Sequence, residues 1–141
     1  MNTKMVLIIR KDLNMRKGKI AAQASHACLG VILNLFNDGQ KISEHLPEIV
    51  NGEYTLSLTV KEGTALDRWL RFRFTKICVS VNNEQELLEI YEKAKEKGLP
   101  CTLIQDSGLT EFGGIPTYTA VSIGPDEVEK IDEITGNLPL L

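Results

Sequence analysis

Lys17-Gly18-Lys19-Ile20-Ala21-Ala22-Gln23-Ala24-Ser25-His26-Ala27-Cys28-Leu29-Gly30 is the stretch on which the reading of this chain turns. It follows an apolar run, Met5-Val6-Leu7-Ile8-Ile9-Arg10, that predicts a buried strand. The stretch itself holds good helix formers and no proline, so a helix is expected, running to about Asn37. Asn14 is the expected N-cap. Lys19, Gln23, His26 and Gly30 step by four, three and four residues and share one stripe of that helix. Most other positions are apolar or small, which predicts burial on more than one side. Polar groups in a line on such a helix need partners or a ligand. A core helix with a locally solvated polar end is the alternative. Arg16, Lys17 and Lys19 at the helix start favour an anion there, because free backbone N–H groups and the helix dipole point the same way.

Working outward, alternation of apolar and polar residues over 54–60 predicts a half-exposed strand. Residues 63–70 read as a short helix or turn, and 76–81 as a strand. Asn82 or Asn83 caps a helix patterned on Leu87, Leu88, Ile90, Tyr91 and Ala94, which Gly98-Leu99-Pro100 ends. Residues 101–105 and 118–123 are further strands, with a glycine-rich loop between them at 106–114. Gly124-Pro125-Asp126 is expected to open the last helix, and Gly136 to stop it. Strands alternating with helices predict an α/β fold: one domain over residues 1–141, a mixed sheet with helices on both faces. If the first strand and the one ending at Asp106 are parallel neighbours, their following loops open at one edge, where such sheets bind ligands.

Composition sets the class. The 141 residues suffice for one core, and 43% hydrophobic with 25% charged residues is ordinary globular usage. There is no run of 18 apolar residues, so no membrane span is expected, and no secretory leader is visible. Cys28, Cys78 and Cys101 match no metal spacing and read as buried hydrophobes in a reducing cytoplasm. The net charge of −3 argues weakly against nucleic acid, but its distribution argues the other way. Bases cluster at the N-terminus and at Arg68, Arg71, Arg73 and Lys76, while acids collect in the two later helices. Bases meeting on one face would make an anion-binding side.

Gln105-Asp106-Ser107-Gly108-Leu109-Thr110 is the second informative stretch. A carboxylate with a hydroxyl at a strand exit can orient a water; the same residues also make an ordinary turn. Asp106 gains weight only with Lys19, Gln23 or His26 in reach. A Cys28–His26 pair is discounted, since residues two apart on a helix diverge. No Walker loop or dinucleotide fingerprint is present.

The block over residues 5–30 resembles the second, archaeal- and eukaryotic-type, peptidyl-tRNA hydrolase family. So do Leu103-Ile104-Gln105-Asp106-Ser107-Gly108-Leu109-Thr110, Thr119-Ala120-Val121-Ser122-Ile123-Gly124-Pro125, the ending over 131–140, and Trp69 followed by Lys76. The resemblance implies hydrolysis of the ester between a peptide and the 3′ ribose of tRNA, without metal or cofactor, by a homodimer. It implies Lys19, Gln23, Asp106 and Thr110 as catalytic positions, with Lys76 and Thr119 as further site positions. Arg16, Lys17 and Lys76 would hold phosphates, and His26 would support the loop. Asp106 would serve as base if its surroundings raise its pKa. Ser107, Leu109 and Asn137 depart from the family pattern, and residues 38–62 form a longer insert. The runner-up function is a non-catalytic member of the same fold that binds RNA or protein.

Overall fold

The computed structural model describes residues 2–41 and 44–141. Its elements, in chain order, are β1 (Thr3–Arg10), α1 (Lys17–Leu33), α2 (Ala65–Arg71), β2 (Lys76–Val81), α3 (Glu84–Glu96), β3 (Cys101–Asp106), β4 (Thr117–Glu127) and α4 (Val128–Thr135). The strands make one mixed α/β sheet in the order β2-β1-β4-β3. β1 and β2 are parallel, and β4 is antiparallel to β1 and to β3.

β1 shows why its run is apolar throughout. Val6 and Ile8 pack with Leu87, Ile90 and Ile131 of α3 and α4 on one face. Met5, Leu7 and Ile9 pack with Ala27 and Val31 of α1 and Trp69 of α2 on the other. A strand covered on both faces has no side left for water. Each fully buried Ile, Leu or Val stabilises the fold by roughly 1.5–3 kcal/mol relative to exposure. On α3, Asn83 accepts from the Glu86 N–H at 2.8 Å, so the second of the two expected caps is the one used.

β1 and β3 are not neighbours, since β4 lies between them. Both are antiparallel to β4, so they still run the same way. The loops after Arg10 and Asp106 therefore open at one end of the sheet, as the site requires.

Several expectations are corrected. Residues 54–60 form no strand. Their side chains do alternate, with Leu56, Leu58 and Val60 half-buried, but the backbone finds no ladder. It is tied to Asn37 through Ser57, and the outer edge of β2 is taken by the C-terminal tail, where Ser80 donates to Pro139 and Leu141 to Cys78. α1 stops at Leu33, because the next N–H groups switch to tighter bonds and Asn37 turns to φ +52°. Its N-cap is Arg16; Asn14 sits in the left-handed region and ends a 3-10 turn instead. α1 buries one stripe only, Gln23, Ala27 and Val31, and Leu29 is 58% exposed. Alanines satisfy an apolar count without needing cover. The three cysteines are free and only part-buried. Residues 124–126 continue β4 rather than opening α4. There Gly124 has φ +108°, and a Cβ would lie 2.6 Å from the Lys4 carbonyl oxygen, so only glycine passes β1 at this bulge. Among the described residues no helix is long and apolar enough to cross a membrane.

Ile8 is fully buried in the central strand, so Ile8→Ala should lower unfolding free energy by ~2–5 kcal/mol in urea titrations. Leu29→Ala should stay within ~0.5 kcal/mol. Equal losses in the two would contradict the one-sided burial of α1.

Candidate active site

The first turns of α1 stand beside the exit of β3 and the start of β4. Lys19 extends its ammonium to Asp106 Oδ1 at 2.9 Å and to Thr110 Oγ1 at 2.8 Å. One turn on, Gln23 is 1% exposed. Its Nε2 donates to the same Oδ1 at 3.2 Å. The buried Thr119 hydroxyl donates to Gln23 Oε1, which fixes the amide's orientation. Asp106 Oδ2 accepts the Gly108 N–H at 2.8 Å. The order is thus Thr119 to Gln23 to Asp106, with Lys19 bridging Asp106 and Thr110.

Gly108 is what allows the loop to close on the carboxylate. Its φ is +82°, and a Cβ would fall 2.1 Å from the Ile115 carbonyl oxygen. The Gly114 N–H then donates to the Gly108 carbonyl at 2.8 Å, closing residues 108–114 into a ring of chain. On the sheet side Arg10 grips Asp12 through two nitrogens, at 3.1 and 2.7 Å, and donates to the Tyr118 carbonyl at 3.0 Å. That brace sits one residue from Thr119.

The electrostatics correct one expectation. The hydrogen bond from Lys19, before any other cause, holds the Asp106 carboxyl below the usual carboxylate range. Partial burial pushes the other way, and the Gly108 N–H and the Gln23 amide add to the lowering. Asp106 is an ionised acceptor, not a base with a raised pKa. An ammonium has three donors, and Lys19 uses two of them here. Its Nζ also stands 5.6 Å from the Phe112 ring centre.

The structure therefore brings together Lys19, Gln23, Asp106, Thr110 and Thr119. Arg16 and Lys17 lie exposed at the same helix start, with Arg16 Nε 4.0 Å from Glu111. Lys76 is not brought in. It pairs with Met5 at the far end of β1, donates to the Phe74 carbonyl at 2.7 Å, and lies 3.4 Å from the Phe74 ring centre. His26 is exposed, seven residues along α1 from Lys19, which is ~10 Å of helix. Among the described residues no hydrogen bond joins it to the loop after Asp106. Sequence reasoning missed Phe112, Arg10 and the Gly108 N–H as parts of the site. Only Gly108 carried a visible signal, as the turn glycine after an aspartate. Among the described residues no three His, Cys, Asp or Glu side chains group as metal ligands. An apolar groove of about 390 Å³ lies on the other flank of α1, between Cys28 and Leu29 and the Trp69–Phe74 pair.

An open mixed sheet with a carboxylate, an ammonium and a hydroxyl joined at the end where β1 and β3 both exit defines a single-domain α/β protein with one compact polar site. The chain belongs to the peptidyl-tRNA hydrolase PTH2 family, whose profile matches residues 3–141. It is 44% identical over 138 residues to a peptidyl-tRNA hydrolase of Methanocaldococcus jannaschii, covering 98% of this chain and 99% of that one. It is 40% identical over 141 residues to the peptidyl-tRNA hydrolase of Sulfurisphaera tokodaii, covering all of both chains. The Methanopyrus kandleri peptidyl-tRNA hydrolase is 37% identical over 138 residues, 98% of this chain and 97% of that one.

A carboxyl with a depressed pKa contributes stability above the unfolded value of ~3.9 and loses it as pH falls through the folded value. The Asp106 Cγ resonance should therefore titrate below ~3.9, and Lys19→Met should move its midpoint upward. The stability gap between wild type and Lys19→Met should be present at neutral pH and close in acid. A midpoint indifferent to Lys19 would overturn this account of the cluster.

Proposed function

We propose that this protein hydrolyses the ester linking a peptide to the 3′ ribose of tRNA. The observation that carries the reading is the Lys19–Asp106–Thr110 junction, built on the buried Gln23–Thr119 pair, in a chain of this family. In the proposed mechanism, a water held by the Asp106 carboxylate and the Thr110 hydroxyl attacks the ester carbonyl carbon. The third Lys19 N–H faces the oxygen where negative charge grows. The carbon–oxygen bond to the ribose breaks, the 3′ oxygen leaves with a proton, and the peptide departs as a carboxylic acid that ionises. The ammonium of Lys19 supplies that proton, and the attacking water's proton restores it through Asp106. The burial of Gln23 supports a positioning role, holding Oδ1 of Asp106 rather than touching substrate. Arg16 and Lys17 hold backbone phosphates, contacts that fix position without reading sequence.

The same reading places the protein in the cytoplasm, in keeping with three unpaired cysteines, and makes it a homodimer. Exposed apolar side chains at Leu46, Ile49, Val50 and Tyr54 support a covered surface in the insert.

Purified protein mixed with an N-acetyl-aminoacyl-tRNA should release free tRNA. Asp106→Asn and Lys19→Ala should each lower kcat/KM by ~10²–10³ while melting as folded domains. Folded wild-type protein without turnover would leave RNA or protein binding as the function. Sedimentation should give twice the 15.7 kDa chain mass, and a monomer would remove the dimer.

A further inference from the structure

The end of α2 and the turn to β2 carry Arg71-Phe72-Arg73-Phe74, which has no part in the site above. Phe72 is 66% exposed and Phe74 48%. Both rings sit beside cations: Arg68 at 5.6 Å from Phe72, and Lys76 on Phe74. Residues 61–76 hold five bases and two acids in a chain whose net charge is −3. Both of those acids are engaged with Arg71, at 2.7 Å from Asp67 and 3.6 Å from Glu62. Arg68 and Arg73 are outside the ion pairs of the described residues and line, with Phe72, Thr75 and Lys4, an open depression of about 640 Å³ at the end of the sheet, which reaches Val128 at the start of α4.

The turn is also held rigid. Phe74 has φ +57°, a conformation a bulky residue keeps only under constraint. The constraint is visible: its ring stacks on buried Trp69 at 4.2 Å, and the next carbonyl, of Thr75, accepts from both the Trp69 indole at 2.8 Å and the Met5 N–H at 2.9 Å. Exposed rings interleaved with arginines and fixed in place fit an RNA strand: guanidinium to phosphate, ring to ribose or base.

We propose that this ledge is a second tRNA contact, which binds the acceptor arm at a distance from the ester. The inference rests on the hydrolase reading. Met5 marks the ledge end of β1 and Arg10 the catalytic end, a separation of about 17 Å at ~3.3 Å per strand residue. A tRNA whose 3′ end sits at Asp106 extends well beyond that. The α3 and α4 face is crowded with acids, so the arm runs over the α1 and α2 face, where the ledge lies.

The test uses Arg73→Ala, Phe72→Ala and the double variant of the full chain. Two substrates are compared: an N-acetyl-aminoacyl-tRNA, and the same ester on a CCA trinucleotide. The double variant should raise KM for the tRNA substrate about tenfold with kcat unchanged. Trinucleotide hydrolysis should be the same in every protein. The salt slope of deacylated-tRNA binding, read by fluorescence anisotropy, should fall by about one in Arg73→Ala. Unchanged KM and slope overturn the ledge, and so does equal slowing on the trinucleotide, which would locate the effect at the ester. If wild type cleaves neither substrate, the hydrolase reading falls, while the anisotropy measurement still decides the ledge.

Discussion

The carboxylate of Asp106 accepts three hydrogen bonds, from the ammonium of Lys19, the amide of Gln23 and the backbone of Gly108. Those donors come from α1 and from the loop after β3, and Lys19 and Asp106 stand 87 residues apart in the chain. Only the strand order brings them together. β4 sits between β1 and β3 and runs against both, so the exits of β1 and β3 share one end of the sheet. α1 then crosses back over β4 and β3, and Gly30 allows it close, with a Cβ there only 3.3 Å from the Thr102 methyl. That approach lets Gln23 reach Thr119 beneath the helix. Of the polar stripe of α1, Lys19 and Gln23 lie on the seam along which the helix meets the sheet, while His26 turns out of it and is exposed.

How much of this was legible depends on the range of the cause. β1, α3 with its cap narrowed to Asn82 or Asn83, and β3 were readable because burial, capping and helical period act within a few residues. The misread segments all needed a partner that periodicity does not name. Residues 54–60 alternate as a strand would, yet their backbone joins no ladder, and the outer edge of β2 carries the C-terminal tail. Leu35 and Phe36 continue the apolar pattern past the true end of α1. Gly124-Pro125 reads as punctuation, whereas the glycine is there to let β4 pass the Lys4 carbonyl. In the site, Lys19, Gln23, Asp106, Thr110 and Thr119 could be named together only through family likeness. The direction of the Asp106 pKa shift was beyond the sequence, because it turns on whether the Lys19 contact outweighs burial.

Lys76 shows the same limit from the other side. It was placed with the tRNA-binding positions by resemblance, and β2 starts where β1 starts, so its ammonium lies at the end of the sheet opposite Lys19 and Asp106. Its neighbours there are aromatic rings rather than carboxylates. A cation on a ring keeps its charge uncompensated, unlike Lys4 or Arg71, which are paired with acids. The basic residues of the α1 and α2 face therefore project a field that the net charge of −3 conceals. The acids of α3 and α4 lie mostly on the other face of the sheet, interspersed with Lys93, Lys95 and Lys130.

The choice of lysine at the junction follows from counting donors. An arginine fork would meet a carboxylate side by side, engaging both its oxygens in one plane. Oδ2 would then be drawn from the Gly108 N–H that holds the loop closed. A lysine ammonium takes Oδ1 alone, gives a second hydrogen to Thr110 and keeps a third donor in reserve. The pair can persist while the third hydrogen meets a growing negative charge. A carboxylate kept ionised by its neighbours costs nothing to deprotonate at neutral pH, and in the proposed reaction it is the acceptor for the attacking water. The lowered pKa keeps Asp106 ionised between turnovers, so in the proposed reaction it passes the water's proton on to Lys19 rather than holding it.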